Sequence, residues 1–177
     1  MGGCVRDAIM GRESADIDIT TSATPDEVKA VFDGRRVIET GIKHGTVTVL
    51  DEDGVPFEIT TFRTEGTYSD NRHPDSVSFV RDLREDLQRR DFTINAIAMD
   101  IRGGIHDPFG GEADIEAGVV RTVGDADERF GEDALRIMRA MRFAAVLGGD
   151  AKAFVIEPET EEAMSRNITP MRIGICF

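Results

Sequence analysis

Two aspartates two residues apart, Asp16 and Asp18 in the run ADIDIT, are the first side chains whose spacing suggests chemistry. On a strand alternate side chains share a face, so Asp16, Asp18 and Thr20 point one way and Ile17 and Ile19 the other. Two carboxylates held on one rigid strand suit a hard cation that prefers oxygen ligands, such as Mg²⁺. Just upstream, Gly2-Gly3 precedes a short helix over roughly residues 4–10. Glycines at such a turn let backbone amides approach an anion where the helix dipole also favours negative charge. A phosphate cradle beside a carboxylate pair points to chemistry on a nucleoside triphosphate. Each half has an ordinary alternative: the solvated face of a half-buried strand for the aspartates, and a plain turn for the glycines.

Three further polar groups extend the pattern. Glu58 lies between Phe57 and Ile59 on an expected strand over 57–62 and faces away from both. It is either a third metal-facing carboxylate or an exposed strand glutamate. Arg89, Arg90, Asp91 and Asn95 fall in LREDLQRRDFTINAIAM. Paired arginines suit phosphate, and Asp and Asn suit ribose hydroxyls, the alternative being a surface ion-pair cluster. Asp133 and Arg136, three apart on an expected helix over 132–147, are neighbours on one face. They offer the edge of a base an acceptor and a forked donor together, or else form an intrahelical salt bridge.

The elements that must position these groups are partly written in the chain. Thr24-Pro25-Asp26-Glu27 reads as an N-cap, a proline at the first helical position and a capping box. Val28, Val31 and Phe32 give the helix that follows an apolar stripe. Strands are expected over 36–38, 46–50 and 57–62, the last two joined by a turn with a D-G signal. Residues 64–76 are polar, glycine-bearing and aperiodic, and read as a mobile loop beside the site. Helical segments are expected through 83–99, then a breaker-rich turn over 106–111 and a strand over 119–123. In the 132–147 helix the stripe Leu135, Met138, Met141 and Ala145 reads as core, and a last helix runs from 159 to about 166. The fold class is α/β, a small mixed sheet with helices on one side.

With 177 residues, 40% apolar and 31% charged, the chain is long enough for a real core and has an ordinary globular composition. No apolar run approaches the roughly 20 residues of a membrane span, and no signal-peptide pattern opens the chain. Cys4 and Cys176 make no disulfide framework, and His44, His73 and His106 show no zinc spacing, so reduced thiols in a cytoplasm are expected. The net charge of −13 argues against a broad nucleic-acid surface, because phosphates are held by Lys and Arg. If RNA is the substrate, most of the surface that grips it lies elsewhere. The Gly-Gly turn has no strand before it and MRIGICF ends without a cap, so the chain reads as cut at both ends.

Six blocks in order, GGCVRD with DID, HGTV, FEITTFR, RRDFTINA, DPFGG and EDALRIMRAMRFAA, cover nearly all of residues 2–166. Together they resemble the tRNA nucleotidyltransferase/poly(A) polymerase family, and more narrowly the bacterial-type (class II) CCA-adding enzymes. The resemblance implies a polymerase-beta-like nucleotidyltransferase head over 1–123, lacking its first strand, and the start of a helical neck over 124–177. It implies that Asp16 and Asp18 bind two Mg²⁺ ions with Glu58 as third carboxylate, and that Gly2, Gly3 and Arg6 hold the triphosphate. Arg90, Asp91 and Asn95 would contact ribose and phosphates. Asp133 and Arg136 would pair with the base edge of CTP or ATP, with Arg139 also in the nucleotide site, and the DPFGG turn would be a hinge. The implied reaction adds CMP and AMP to the 3′ end of tRNA by two-metal chemistry. Adenylate-only addition, and nucleotide binding without turnover, are the alternatives.

Overall fold

The computed structural model describes residues 1–14, 16–69, 74–149 and 152–168; His73, Cys176 and the MRIGICF ending lie outside the described residues. Gly2, at φ 71°, turns the chain into helix α1 (Gly3–Ile9). Strand β1 (Ile19–Thr21) leads to α2 (Pro25–Val31), which is capped as its sequence dictates. The Glu27 amide donates to Thr24 Oγ1 at 3.4 Å, and the Thr24 amide donates to the Glu27 carboxylate at 2.6 Å. Such a cap is worth about 1 kcal/mol. With β2 (Val37–Ile38), β3 (Thr46–Leu50) and β4 (Pro56–Thr61), the first strand completes a mixed sheet of order β1-β4-β3-β2. β1 runs parallel to β4, and the other pairs are antiparallel. Val47, Val49 and Ile59 form one small core with Val28 of α2.

Two expectations at this end are corrected. β1 begins at Ile19, so Asp16 and Asp18 precede the ladder instead of sitting in it. The first backbone pair is Ile19 with Ile59, and the Asp18 carbonyl accepts from the Met1 ammonium at 2.6 Å. Val31 is 77% exposed, because α2 ends there and only Val28 and Phe32 turn inward.

Most of the described residues in the segment expected as a loop, 64–76, carry no strand, but Thr64 and Glu65 belong to a strand and the segment lies between two paired strands. β5 (Arg63–Glu65) pairs antiparallel with β6 (Val77–Phe79), and the Gly66 and Asp75 amides extend the pairing to the carbonyls of Ser76 and Thr67. Backbone bonds, not apolar alternation, hold it, so periodicity gave no sign of it. Next come α3 (Leu83–Gln88), a 3-10 turn over Thr93–Asn95, and β7 (Ala98–Met99) paired with β8 (Ile105–His106). The helical reading through residue 99 fails after α3, since Phe92, Ile94 and Ile97 are all fully buried and no single helix face could present them. Helix α4 (Gly111–Ala117) starts where Asp107 accepts from the Gly111 and Glu112 amides, both at 2.8 Å. A Cβ at Gly111 would collide with the Thr93 carbonyl, so the DPFGG turn is packed directly onto the RRDFTINA stretch.

β9 (Val119–Val120) is shorter than expected and precedes α5 (Ala126–Glu132), α6 (Leu135–Val146), β10 (Val155–Ile156) and α7 (Pro158–Asn167). The helix expected over 132–147 begins later, at Leu135, and Glu132 instead ends α5. Asp133 has extended backbone, and its Oδ1 accepts from the Leu135 amide at 2.9 Å. The expected core stripe is on the outside: Leu135, Met138, Met141 and Ala145 are exposed, while Arg136, Ile137, Ala140 and Phe143 are buried. Ile137, Ala140 and Phe143 join Val5, Phe92, Ile94, Ile97, Phe130 and Ala163 in the largest core, which draws on the chain on both sides of residue 123. Phe92 and Phe143 meet edge to face with 5.7 Å between ring centroids. Phe92→Ala is expected to destabilise the chain by about 3–5 kcal/mol, read as a lower urea midpoint; a loss under about 1 kcal/mol would place the core elsewhere.

Candidate active site

Helix α1, the 89–95 stretch, the β5–β6 hairpin and α6 enclose a cavity of about 570 Å³. Its wall carries seven arginines and four carboxylates, although the whole chain has a net charge of −13. Of the twelve residues singled out from the sequence, nine line it: Gly3, Arg6, Asp18, Arg90, Asp91, Asn95, Asp133, Arg136 and Arg139. Gly2 stands behind them. A Cβ there would lie 2.7 Å from Arg90 Nη1 and push the guanidinium aside. The Gly2 amide donates to the Ile97 carbonyl at 2.9 Å, so that amide is already engaged.

Asp16 and Glu58 do not line the cavity. Among the described residues no three His, Cys, Asp or Glu side chains stand close enough together to hold a metal ion, so Asp16, Asp18 and Glu58 do not converge. The physical reason is the late start of β1: no strand pairing fixes Asp16 and Asp18 on one face. Their chemistry still fits a hard cation. Asp18 and Glu58 each sit one residue before the first pair of the β1–β4 ladder. Among the described residues none of the three carboxylates is taken by a hydrogen bond or ion pair.

The arginines are held in different ways. Arg6 donates to the buried Asn95 Oδ1 at 2.6 Å and to Asp7 at 2.9 and 2.8 Å. The guanidinium groups of Arg6, Arg139 and Arg142 lie 5.4, 5.9 and 5.1 Å from the Phe143 ring centroid, within cation–π range. Arg139 grips Asp91 Oδ2 through Nε at 2.7 Å and Nη2 at 2.6 Å, which ties α6 to the RRDFTINA stretch. Arg136 is buried and donates to the Glu132 carboxylate and to the carbonyls of Arg129 at 3.0 Å and Arg89 at 3.4 Å. Its ion-pair partner is therefore Glu132. The Asp133 side chain caps α6, and both residues of the expected pair face the same cavity.

Sequence reasoning missed Glu65, Tyr68 and Asp86. Burial by itself would raise the Glu65 carboxyl, but Arg89, the Tyr68 hydroxyl and Arg63 together hold it below its ordinary value of 4.5. Arg89 Nη1 sits 2.7 Å from Glu65 and Arg63 Nη2 3.2 Å. Burial, with Glu65 as hydrogen-bond partner, pushes Tyr68 far above the usual tyrosine range. Asp86 is 0% exposed, and its Oδ1 accepts from Arg89 Nε at 3.0 Å, Arg89 Nη2 at 2.9 Å and the Arg63 amide at 3.0 Å. All three nitrogens of Arg89 are thus engaged by Asp86 and Glu65. Arg90 is different: its buried Nε has no partner, and Nη1 reaches only the Asn95 carbonyl at 3.3 Å. Of the two neighbouring arginines, Arg90 is the one with donors free for a phosphate.

The Poly A polymerase head domain family matches residues 1–121. A CCA-adding enzyme of Lactiplantibacillus plantarum is 57% identical over 167 residues, covering 94% of this chain and 39% of that protein. One from Geobacillus thermodenitrificans is 56% identical with the same coverage. Among solved structures, the Bacillus stearothermophilus CCA-adding enzyme in complex with CTP is similar with a TM-score of 0.81 and 51% identity, over 94% of this chain and 38% of that one. The Thermotoga maritima CCA-adding enzyme complexed with tRNA is similar with a TM-score of 0.68 and 28% identity, over 95% and 37%. The chain therefore spans about two fifths of the length of the relatives it matches.

Because the folded state lowers the Glu65 pKa, its contribution to stability is present above the unfolded value near 4.5 and is lost as pH falls below it. Glu65→Gln is expected to lower the melting temperature at pH 7 and to flatten its decline between about pH 5 and 3. Parallel melting curves for the two proteins across that range would contradict the arrangement.

Proposed function

The chain belongs to the poly(A) polymerase head-domain family, and on that premise we propose that it is a template-independent nucleotidyltransferase acting on the 3′ end of tRNA. It would add CMP and AMP from CTP and ATP. The observation that carries this reading is the cavity itself: a basic pocket in an acidic chain, where Asp18, Arg90 and Asn95 share a wall with Asp133 and Arg136. A small polyanion with a hydrogen-bonding base is what such a pocket favours. We divide the chain into a nucleotidyltransferase head over 1–123 and the start of a helical neck over 124–177, which share one core.

Each side chain then has a task. Arg6, braced by Asn95 and stacked on Phe143, and Arg90, with its free donors, hold phosphates beside Gly2 and Gly3. Asn95 and Asp91 lie on the side of the cavity where a ribose would follow, with Asp91 released from or shared with Arg139. Asp133 and Arg136 offer an acceptor and donors to a base edge, and a base of the wrong pattern leaves them unpaired, which is how strong discrimination arises. Asp16, Asp18 and Glu58 are the residues that would hold divalent cations, Mg²⁺ by their oxygen chemistry. Bound there, the ions would supply charge neutralisation for the attacking hydroxyl and the departing pyrophosphate. The free Cys4 thiol suits a reducing cytoplasm, and no helix among the described residues is long and apolar enough to cross a membrane.

The test is incorporation of labelled CTP and ATP, with MgCl₂, into tRNA lacking its 3′ end. The expected result is incorporation of both, reduced at least about 10³-fold by Asp16→Ala/Asp18→Ala. Incorporation of ATP alone would make the chain an adenylate-adding enzyme. ATP binding without transfer to RNA would make it a nucleotide-binding module. Asp133→Ala/Arg136→Ala is expected to admit UTP or GTP at rates within about tenfold of CTP; unchanged base choice would remove those two residues from that role.

A further inference from the structure

Among the described residues Asp86 is the one fully buried carboxylate in contact with the arginines of the cavity, and its two oxygens are used unequally. Oδ1 takes three donors, two from Arg89 and the amide of Arg63. Oδ2 makes no hydrogen bond, and Arg90 Nη2 stands 3.6 Å away, close enough to balance charge and too far to bond. Arg90 Nε is likewise buried without a partner. An arginine with every donor satisfied has little left for a phosphate, while one with no counter-charge is costly to bury. Arg90 meets neither extreme, and Asp86 is what sets that balance. Arg89, clamped between Asp86 and Glu65 at 2.7 Å, is a strut, and its carbonyl accepts from Arg136 at 3.4 Å.

We propose that Asp86 is a positioning residue of the nucleotide site, fixing Arg89 as a strut so that Arg90 is aimed, charge-balanced but unsaturated, at a phosphate of the bound nucleotide. The assignment rests on the nucleotide reading given under Proposed function. It predicts that Asp86 acts on the phosphates and not on the base or sugar.

The test is titration of ATP and of AMP, with MgCl₂, against the 177-residue chain, its Asp86→Asn and Asp86→Glu variants, Arg90→Ala, and the Asp86→Asn/Arg90→Ala double variant. Asn keeps the shape and the acceptor for the Arg63 amide but removes the charge; Glu keeps the charge and moves it. Asp86→Asn is expected to weaken ATP about tenfold while AMP stays within about twofold. The double variant is expected to bind ATP no more weakly than Arg90→Ala alone, the mark of two residues acting through one interaction. If Asp86→Asn does not fold by circular dichroism, Asp86→Glu carries the test with the same selective loss of ATP. A wild-type ATP-to-AMP ratio in either folded Asp86 variant, equal loss for both nucleotides, or additive losses in the double variant would overturn the proposal. A wild-type chain that binds ATP no better than AMP would overturn the nucleotide reading, and this one with it.

Discussion

Like charges crowded around one cavity repel, and the neutralisation of seven guanidinium groups is the constraint on which the rest of the molecule depends. Each solution comes from a different part of the chain. Asp86 and Glu65 hold Arg89, Glu132 holds Arg136, Asp91 holds Arg139, and the Phe143 ring underlies Arg6, Arg139 and Arg142. Most of these pairs cross between elements, so balancing charge also fastens the hairpin, α3, the RRDFTINA stretch and α6 to one another. Removing one partner of a buried pair costs about 3–5 kcal/mol, because the other charge is left stranded. Site and scaffold are therefore the same set of interactions.

The contrast between the inside and the outside of the chain follows from this. Its 21 Lys and Arg are outnumbered by 34 Asp and Glu, yet a third of the basic residues face a single cavity. Field lines from an acidic surface discourage broad contact with a nucleic-acid backbone, while the basic interior attracts a compact anion. On the nucleotide reading proposed above, such a charge distribution favours a compact anion over the long backbone of a polynucleotide.

How much of this was legible in the sequence depended on whether the deciding interactions were local. The capping box at Thr24, the strand at 46–50 and the last helix from about 159 were readable, because neighbours in sequence settle them. Twelve site residues were named from side-chain chemistry and the family resemblance, and nine of them line one cavity. The buried face of α6 could not be read, since it includes Arg136, whose burial depends on Glu132 and on carbonyls from two other segments. Apolar periodicity then selected the opposite stripe, with Met138 left 52% exposed. Asp86 was hidden for a similar reason: LREDLQ has the look of a surface helix until Arg63, Arg89 and Arg90 close around it. The late start of β1 is a matter of where its pairing with β4 begins, at Ile19 opposite Ile59, which no strand propensity encodes.

The two-residue interruption between α5 and α6 fixes a length as well as a shape. Arg136 is bonded backward to α5, whereas Asp133 accepts from the first amide of α6, so these two cavity-lining residues straddle a joint. Each residue of an α-helix advances by about 100°. Adding or deleting a single residue at Asp133-Ala134 would rotate the whole of α6 by that amount and carry Ile137, Ala140 and Phe143 out of the core while bringing Met138 and Met141 in. Connections between helices usually drift freely in length over evolutionary time. This one sits under an indexing rule, and its residue count should be as resistant to change as any side chain in the cavity.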